Sequence, residues 1–238
     1  MTPSAILTYH SIDRSGSVIS IAPESFKRQM EVLAESGAEV VPLSRIQNSG
    51  GSVAITFDDG YANFEEHALP VLAKYKFPAT VFLVSGHCGG SNVWTAGPRL
   101  PLMSWPAIRG LTGDIAEWGA HTVSHPDLTE QPHERVTDEL VGCRAEIENQ
   151  TGTRVTAFAY PFGLVNAGVR GSVAEHFELA CGTRLDYVNR GADSFGLPRL
   201  DMYYFRQPAG INVLLGPSGR FYTGVRRFLR ERRSWFFQ

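Results

Sequence analysis

Short apolar runs alternate with amphipathic helical segments along almost all of this 238-residue chain, and few architectures accept that order. Residues 4–9 (SAILTY), 39–43 (EVVPL), 52–58 (SVAITFD), 79–84 (ATVFLV), 116–121, 154–160 (RVTAFAY) and 178–182 read as strands. Helices are predicted between them, near 24–36, 62–76, 105–112, 132–150 and 166–178. Pro23 opens the first, Phe26, Met30, Leu33 and Ala34 share its inner face, and Gly37 stops it. Roughly seven such units fit the length, which predicts an α/β fold with a parallel sheet or barrel. Chemistry in a parallel barrel belongs at the C-terminal ends of the strands. The polar clusters fall there: His10, Asp58-Asp59, His121 to His125, and Pro161-Phe162-Gly163.

Composition removes several classes. Hydrophobic residues at 43% and charged residues at 19% exclude wholesale disorder, and the length suits one domain over 1–238. A net charge of −2 argues against a general nucleic-acid binder. Cys88, Cys143 and Cys181 are an odd set without a Cys-x-x-Cys pair, which excludes a disulfide framework and a zinc-finger pattern. Met1 to Ser11 show no basic segment followed by a long apolar run, so no signal peptide is read there. The expectation is a protein of a reducing compartment, cytoplasmic or peripheral on the cytoplasmic membrane face.

The charge is unevenly spread. Residues 220–238 hold six Arg and one Glu, which leaves −7 on the rest of the chain. Phe221, Tyr222, Val225, Phe228 and Leu229 follow helical spacing, with Arg226, Arg227, Arg230, Arg232 and Arg233 among them. This predicts a basic amphipathic helix at about 218–235. Either it makes peripheral contact with an anionic membrane, or it closes the barrel with its Arg residues facing water.

Two clusters carry chemistry. In Thr56-Phe57-Asp58-Asp59-Gly60, adjacent carboxylates on a regular strand would point to opposite faces. Gly60 supplies the break that lets both reach one site, and a bound cation would offset their repulsion. A solvated Asp-Asp-Gly turn is the alternative. In His121-Thr122-Val123-Ser124-His125, the spacing presents both imidazoles to one ion if the segment turns like a helix. Two unrelated loop histidines are the alternative. Together the clusters give two imidazoles and one carboxylate for a divalent metal, with the second Asp free to act as a base. That set suits hydrolysis of an amide or ester.

TFDDG (56–60), HTVSHPDL (121–128) and FAYPFG (158–163), in this order, resemble the polysaccharide deacetylases, the NodB-homology group of carbohydrate esterase family 4. HALPVLAKYKFPATVFL (67–83) and LMSWPAIRGL (102–111) are similar to that family as well, and the resemblance covers roughly residues 4–200. It implies a distorted parallel (β/α)7-type barrel. It also implies that Asp59, His121 and His125 hold the metal, most simply Zn²⁺, with Co²⁺, Ni²⁺ or Mn²⁺ able to substitute. Asp58 would be the general base, and the Phe162 backbone N–H would face the oxyanion, in a loop shaped by Pro161 and Gly163. The implied substrate is an N-acetylated glycan.

The chain departs from the family pattern in places. Ala159 stands where many members carry an Arg that steadies the base, and no Leu-x-His follows residue 163. A subgroup that includes poly-N-acetylglucosamine deacetylases opens with a Tyr-His strand and has Ala-Tyr-Pro in the loop. Tyr9-His10 and Ala159-Tyr160-Pro161 resemble it, which implies His10 as the general acid. Arg199 is the candidate to replace the missing Arg beside Asp58. Tyr61, Trp94 and Tyr160 are candidates to stack on sugar faces. O-acetyl ester hydrolysis, hydrolysis of a small cyclic amide, and non-catalytic carbohydrate binding are the competing functions. Oligomeric state is unreadable.

Overall fold

Seven strands pair entirely in parallel: β1 (Ala5–Tyr9), β2 (Val53–Phe57), β3 (Ala79–Leu83), β4 (Ala116–Ala120), β5 (Ala157–Ala159), β6 (Leu179–Cys181) and β7 (Leu200–Asp201). Their order in the sheet is β6-β5-β4-β3-β2-β1-β7. The sheet curls, and a parallel bridge from Cys181 to Leu197 brings the chain before β7 alongside β6. The result is a distorted (β/α)7 barrel. The computed structural model describes residues 3–95, 97–111, 115–207 and 210–235, with side chains as far as residue 229.

The helices are α1 (Pro23–Glu35), α2 (Leu69–Tyr75), α3 (Trp105–Gly110), α4 (His133–Thr151), α5 (Ala167–His176), α6 (Gly210–Leu215) and α7 (Gly219–Trp235). None of the described helices is long and apolar enough to cross a membrane. Both faces of the sheet are buried, as parallel strands require. Ala5, Leu7 and Tyr9 of β1, with Val53, Ile55 and Phe57 of β2, pack against helix residues such as Phe26, Met30, Leu33 and Leu72. The opposite face is smaller: Ile6, Ala54, Phe82, Ala157, Ala159 and Cys181, closed by Val41, Leu43 and Ile46. Phe82 pairs in register with Gly119, and a Cβ there would collide with the Phe82 ring. The narrow interior therefore holds one large ring because β4 leaves space beside it.

Three predicted elements differ. Residues 39–43 do not join the sheet. Val40 makes one bridge to Val53 before the chain turns at Leu43–Arg45, because Pro42 has no N–H to donate and β1 and β3 already occupy both edges of β2. The strand expected over 154–160 shrinks to Ala157–Ala159, since the Val155 N–H donates to the Glu148 carboxylate of α4 instead of a ladder. The helix expected over 62–76 begins as a π-turn, Phe64–Ala68, ahead of α2, whose first turn contains Pro70. β7 has only two residues and no periodicity from which it could have been read.

Candidate active site

Because every strand runs the same way, the segments that follow them emerge at one mouth. After β2 the backbone turns left-handed at Asp59 (φ 72°) and Gly60 (φ 75°). The strand thus breaks at Asp59 itself, one residue earlier than expected, and both carboxylates face the mouth. A Cβ at Gly60 would lie 2.8 Å from Leu83 Cδ2, so glycine is required there twice over. After β4 the segment His121–His125 is not helical, contrary to the sequence expectation. Thr122 (φ 71°) and His125 (φ 58°) are left-handed, and the His125 N–H donates to Thr122 Oγ1 at 2.9 Å. The buried Glu139 of α4 holds this loop: it accepts from the N–H groups of Val123 (2.7 Å) and Ser124 (2.9 Å) and from Ser124 Oγ (2.6 Å). After β5, Phe162 (φ 57°) is left-handed too. Among the described residues, four of the five non-glycine left-handed positions belong to this mouth; the fifth, Lys76, ends α2. Strain gathered in this way marks a place where side-chain direction outweighs backbone comfort.

These turns bring Asp59, His121 and His125 together. Asp59 Oδ1 lies 3.5 Å from His121 Nε2 and 3.4 Å from His125 Nε2, and all three residues are buried. The His121 Nδ1–H donates to the Ala159 carbonyl at 2.7 Å. A carbonyl only accepts, so the Nε2 lone pair is left facing Asp59. Burial raises the Asp59 carboxyl above its usual range. Burial, reinforced by the His121 ring, lowers His125, which keeps its imidazole neutral, the form that binds metals. One carboxylate oxygen and two imidazole nitrogens within 4.8 Å of one another fit a first-row divalent cation.

Asp58 is buried beside them. Arg199 Nη1 donates to Asp58 Oδ1 and Nη2 to Oδ2, each at 2.7 Å. Burial alone would raise the Asp58 carboxyl, but the guanidinium outweighs it and holds the group well below the ordinary carboxylate range. Arg199 is itself buried, and its Nε–H donates to the Gly182 carbonyl at 2.9 Å. Arg199 therefore stands beside Asp58, the position at which a substitute for the Arg absent at Ala159 is expected. It meets the carboxylate and does not line the cavity. His10, at the end of β1, places Nε2 at 3.9 Å from Asp58 Oδ2 and remains half-exposed at the mouth.

An open cavity of about 410 Å³ lies over this cluster. His10, Asp58, Asp59, His121, His125, Trp94, Tyr160 and Phe162 all line it. Trp94 stacks on His125 with ring centroids 4.5 Å apart, and Phe162, 49% exposed, meets the same ring edge-on at 4.6 Å. Tyr61 is corrected: it is 1% exposed, buried below Asp59, and has no face to offer a sugar. Pro161 is buried under its loop, and Tyr160 is corrected likewise: it is 1% exposed, packs on Phe158 and donates its hydroxyl to the Phe195 carbonyl (3.0 Å), so its ring has no open face for a sugar. Tyr203, Tyr204 and Asp201 line the cavity and were missed, as were Val18 and Ile19. They end or follow β7 or precede α1, in stretches with no motif to single them out.

The sequence model of the polysaccharide deacetylase family matches residues 45–178. His10 and Arg199 lie outside that span. YxkH of Bacillus subtilis is 28% identical over 169 residues, which are 68% of this chain and 57% of that protein. The poly-beta-1,6-N-acetyl-D-glucosamine N-deacetylase of Staphylococcus aureus is 27% identical over 164 residues, 62% of this chain and 55% of that protein. The chain thus spans little more than half the length of these relatives. Among solved structures, the Streptococcus pyogenes deacetylase PplD, in complex with acetate, superposes with a TM-score of 0.79 at 21% identity, over 91% of this chain and all of that one. IcaB of Ammonifex degensii gives 0.75 at 22% identity, over 89% of this chain and 97% of that one. The structures share the fold, the family match runs from the turn after α1 to the residue before β6, and the three motifs within it converge at the mouth: the chain belongs to the polysaccharide deacetylase family.

Proposed function

We propose that this protein is a metal-dependent hydrolase that removes N-acetyl groups from an N-acetylated sugar polymer or oligosaccharide. The observation that carries the reading is the Arg199-forked Asp58 set directly beside the Asp59, His121 and His125 cluster in an open cavity. The Staphylococcus aureus relative, named for N-deacetylation of poly-N-acetylglucosamine, supports the substrate class. A divalent cation, most simply Zn²⁺, on Asp59, His121 and His125 would supply Lewis acidity to the acetamide carbonyl and acidify water.

The chain's own residues do the rest. Asp58 stays ionised and takes the proton of the attacking water on a carboxylate oxygen. Arg199 fixes the direction of that carboxylate, but it also lowers its basicity, so the site depends on water already made acidic. In this reading the backbone N–H of Phe162, in the loop that lines the cavity, donates to the oxygen that gains charge. His10, across the mouth, gives a proton to the departing amine. Trp94, with the exposed ring of Phe162, offers apolar surface to the sugar. With Zn²⁺, Co²⁺ or Ni²⁺ added, the protein should release acetate from chito-oligomers or poly-N-acetylglucosamine. Asp58→Asn should abolish turnover and still bind metal; full activity in that variant would remove Asp58 as the base.

A further inference from the structure

α7 is the most strongly charged element of the chain, and it packs the wrong way round for a helix that merely closes a barrel. Its body side is made by Gly219 and Thr223, one turn apart. A Cβ at Gly219 would collide with the Tyr187 hydroxyl, and Thr223 is 1% exposed. Two of its arginines lean along the helix and towards the body, Arg227 partly covered and Arg226 exposed. Arg227 pairs with Asp186, and Arg226 lies over the Tyr222 ring at 5.2 Å and the Tyr204 ring at 5.9 Å. On the opposite side, Phe221, Val225 and Leu229 recur every fourth residue and are 78%, 43% and 55% exposed. Arg220 and Arg226 face water as expected, but an apolar stripe faces water beside them.

The composition of the helix says what such a face meets. Beyond Leu229 the sequence adds Arg230, Arg232 and Arg233 against the single Glu231. The apolar stripe is only about 12 Å long at 1.5 Å per residue. A stable protein interface needs roughly 800 Å² from each partner, more than such a stripe provides. A lipid surface needs no matching shape, and an anionic one complements the arginines. We propose that α7 is an interfacial helix that docks this protein on an anionic lipid surface, with Phe221, Val225 and Leu229 entering the headgroup boundary. Tyr204, which touches Arg226, also lines the catalytic cavity, so docking sets the mouth close to the lipid. A membrane-tethered glycan would present its sugars there.

The test is co-sedimentation of the full chain with vesicles of phosphatidylcholine alone and of phosphatidylcholine mixed equally with phosphatidylglycerol. Partitioning onto the mixed vesicles should exceed that onto neutral ones by at least roughly tenfold. It should fall back in about 0.5 M salt, as screening shortens the reach of the charges. Phe221→Ser combined with Leu229→Ser should lower binding to the mixed vesicles by roughly tenfold or more. Thermal unfolding and acetate release from soluble chito-oligomers should be unchanged in that variant, since both residues are exposed and neither lines the cavity. Absence of sedimentation, equal binding to both vesicle types, or undiminished binding of the double variant would overturn the proposal. So would a dimer in light scattering that the double variant dissolves without any vesicle binding, which would assign the stripe to a second copy. Sedimentation reads no catalysis, so failure here leaves the deacetylase reading standing, and the reverse.

Discussion

Asp58 and Arg199 are 141 residues apart in sequence and buried together. Neither charge is tolerable there alone, and a two-point fork compensates both. Arg199→Met is expected to destabilise the protein by about 3–5 kcal/mol in urea unfolding, because it strands a buried carboxylate. Adding Asp58→Asn should recover much of that loss but no turnover; an Arg199→Met variant as stable as the parent would show that the fork contributes nothing. The thiols allow a pH prediction. Burial pushes Cys143 from 9.0 up to about 11 and Cys181 up to about 12. Both should resist a thiol reagent at pH 8 while the protein is folded and react once it is unfolded. The unfolded chain loses these protons first, so stability is full below pH 9 and declines as pH rises toward 11 and 12. Urea midpoints compared at about pH 8 and about pH 10.5 check the sign, and a constant midpoint would refute it.

At the scale of elements, the loop after β4 depends on α4. Glu139 accepts three hydrogen bonds from Val123 and Ser124 and pairs with Arg135 at 2.6 Å, so one buried carboxylate sets the spacing between the two histidines. In Glu139→Gln an NH₂ group replaces one acceptor and must face other donors. Zn²⁺ affinity of the metal-free protein, measured by chelator competition, should fall by roughly 10- to 100-fold. Unchanged affinity would mean that the loop holds its own shape. The sequence displayed both histidines but not their geometry. Their spacing of four suits a helix, whereas two left-handed residues produce the convergence. The reason is local: Thr122 Oγ1 accepts the His125 N–H that a helix would have sent to the His121 carbonyl, and Glu139 binds the N–H groups of Val123 and Ser124 in this turn.

The whole molecule enters through the sheet, because Asp59, His121 and His125 come from the ends of β2 and β4 and meet only when the barrel is folded. A cation bound at 1,000 times its dissociation constant would add about 4.1 kcal/mol to the folded state. In a chain of this size that corresponds to a rise on the order of 10 °C in Tm. Chelation should reverse the rise, and His125→Ala should remove it; a Tm indifferent to Zn²⁺ would argue that the three side chains do not share an ion. The alternation of strands and helices, the carboxylate pair and the two histidines were legible in the sequence, since period, punctuation and motif are local properties. The partner of Asp58, the burial of Tyr61, the cavity lining after β7 and the outward face of α7 were decided only in three dimensions. They depend on which distant segments a curled parallel sheet brings side by side, and no spacing along the chain encodes that.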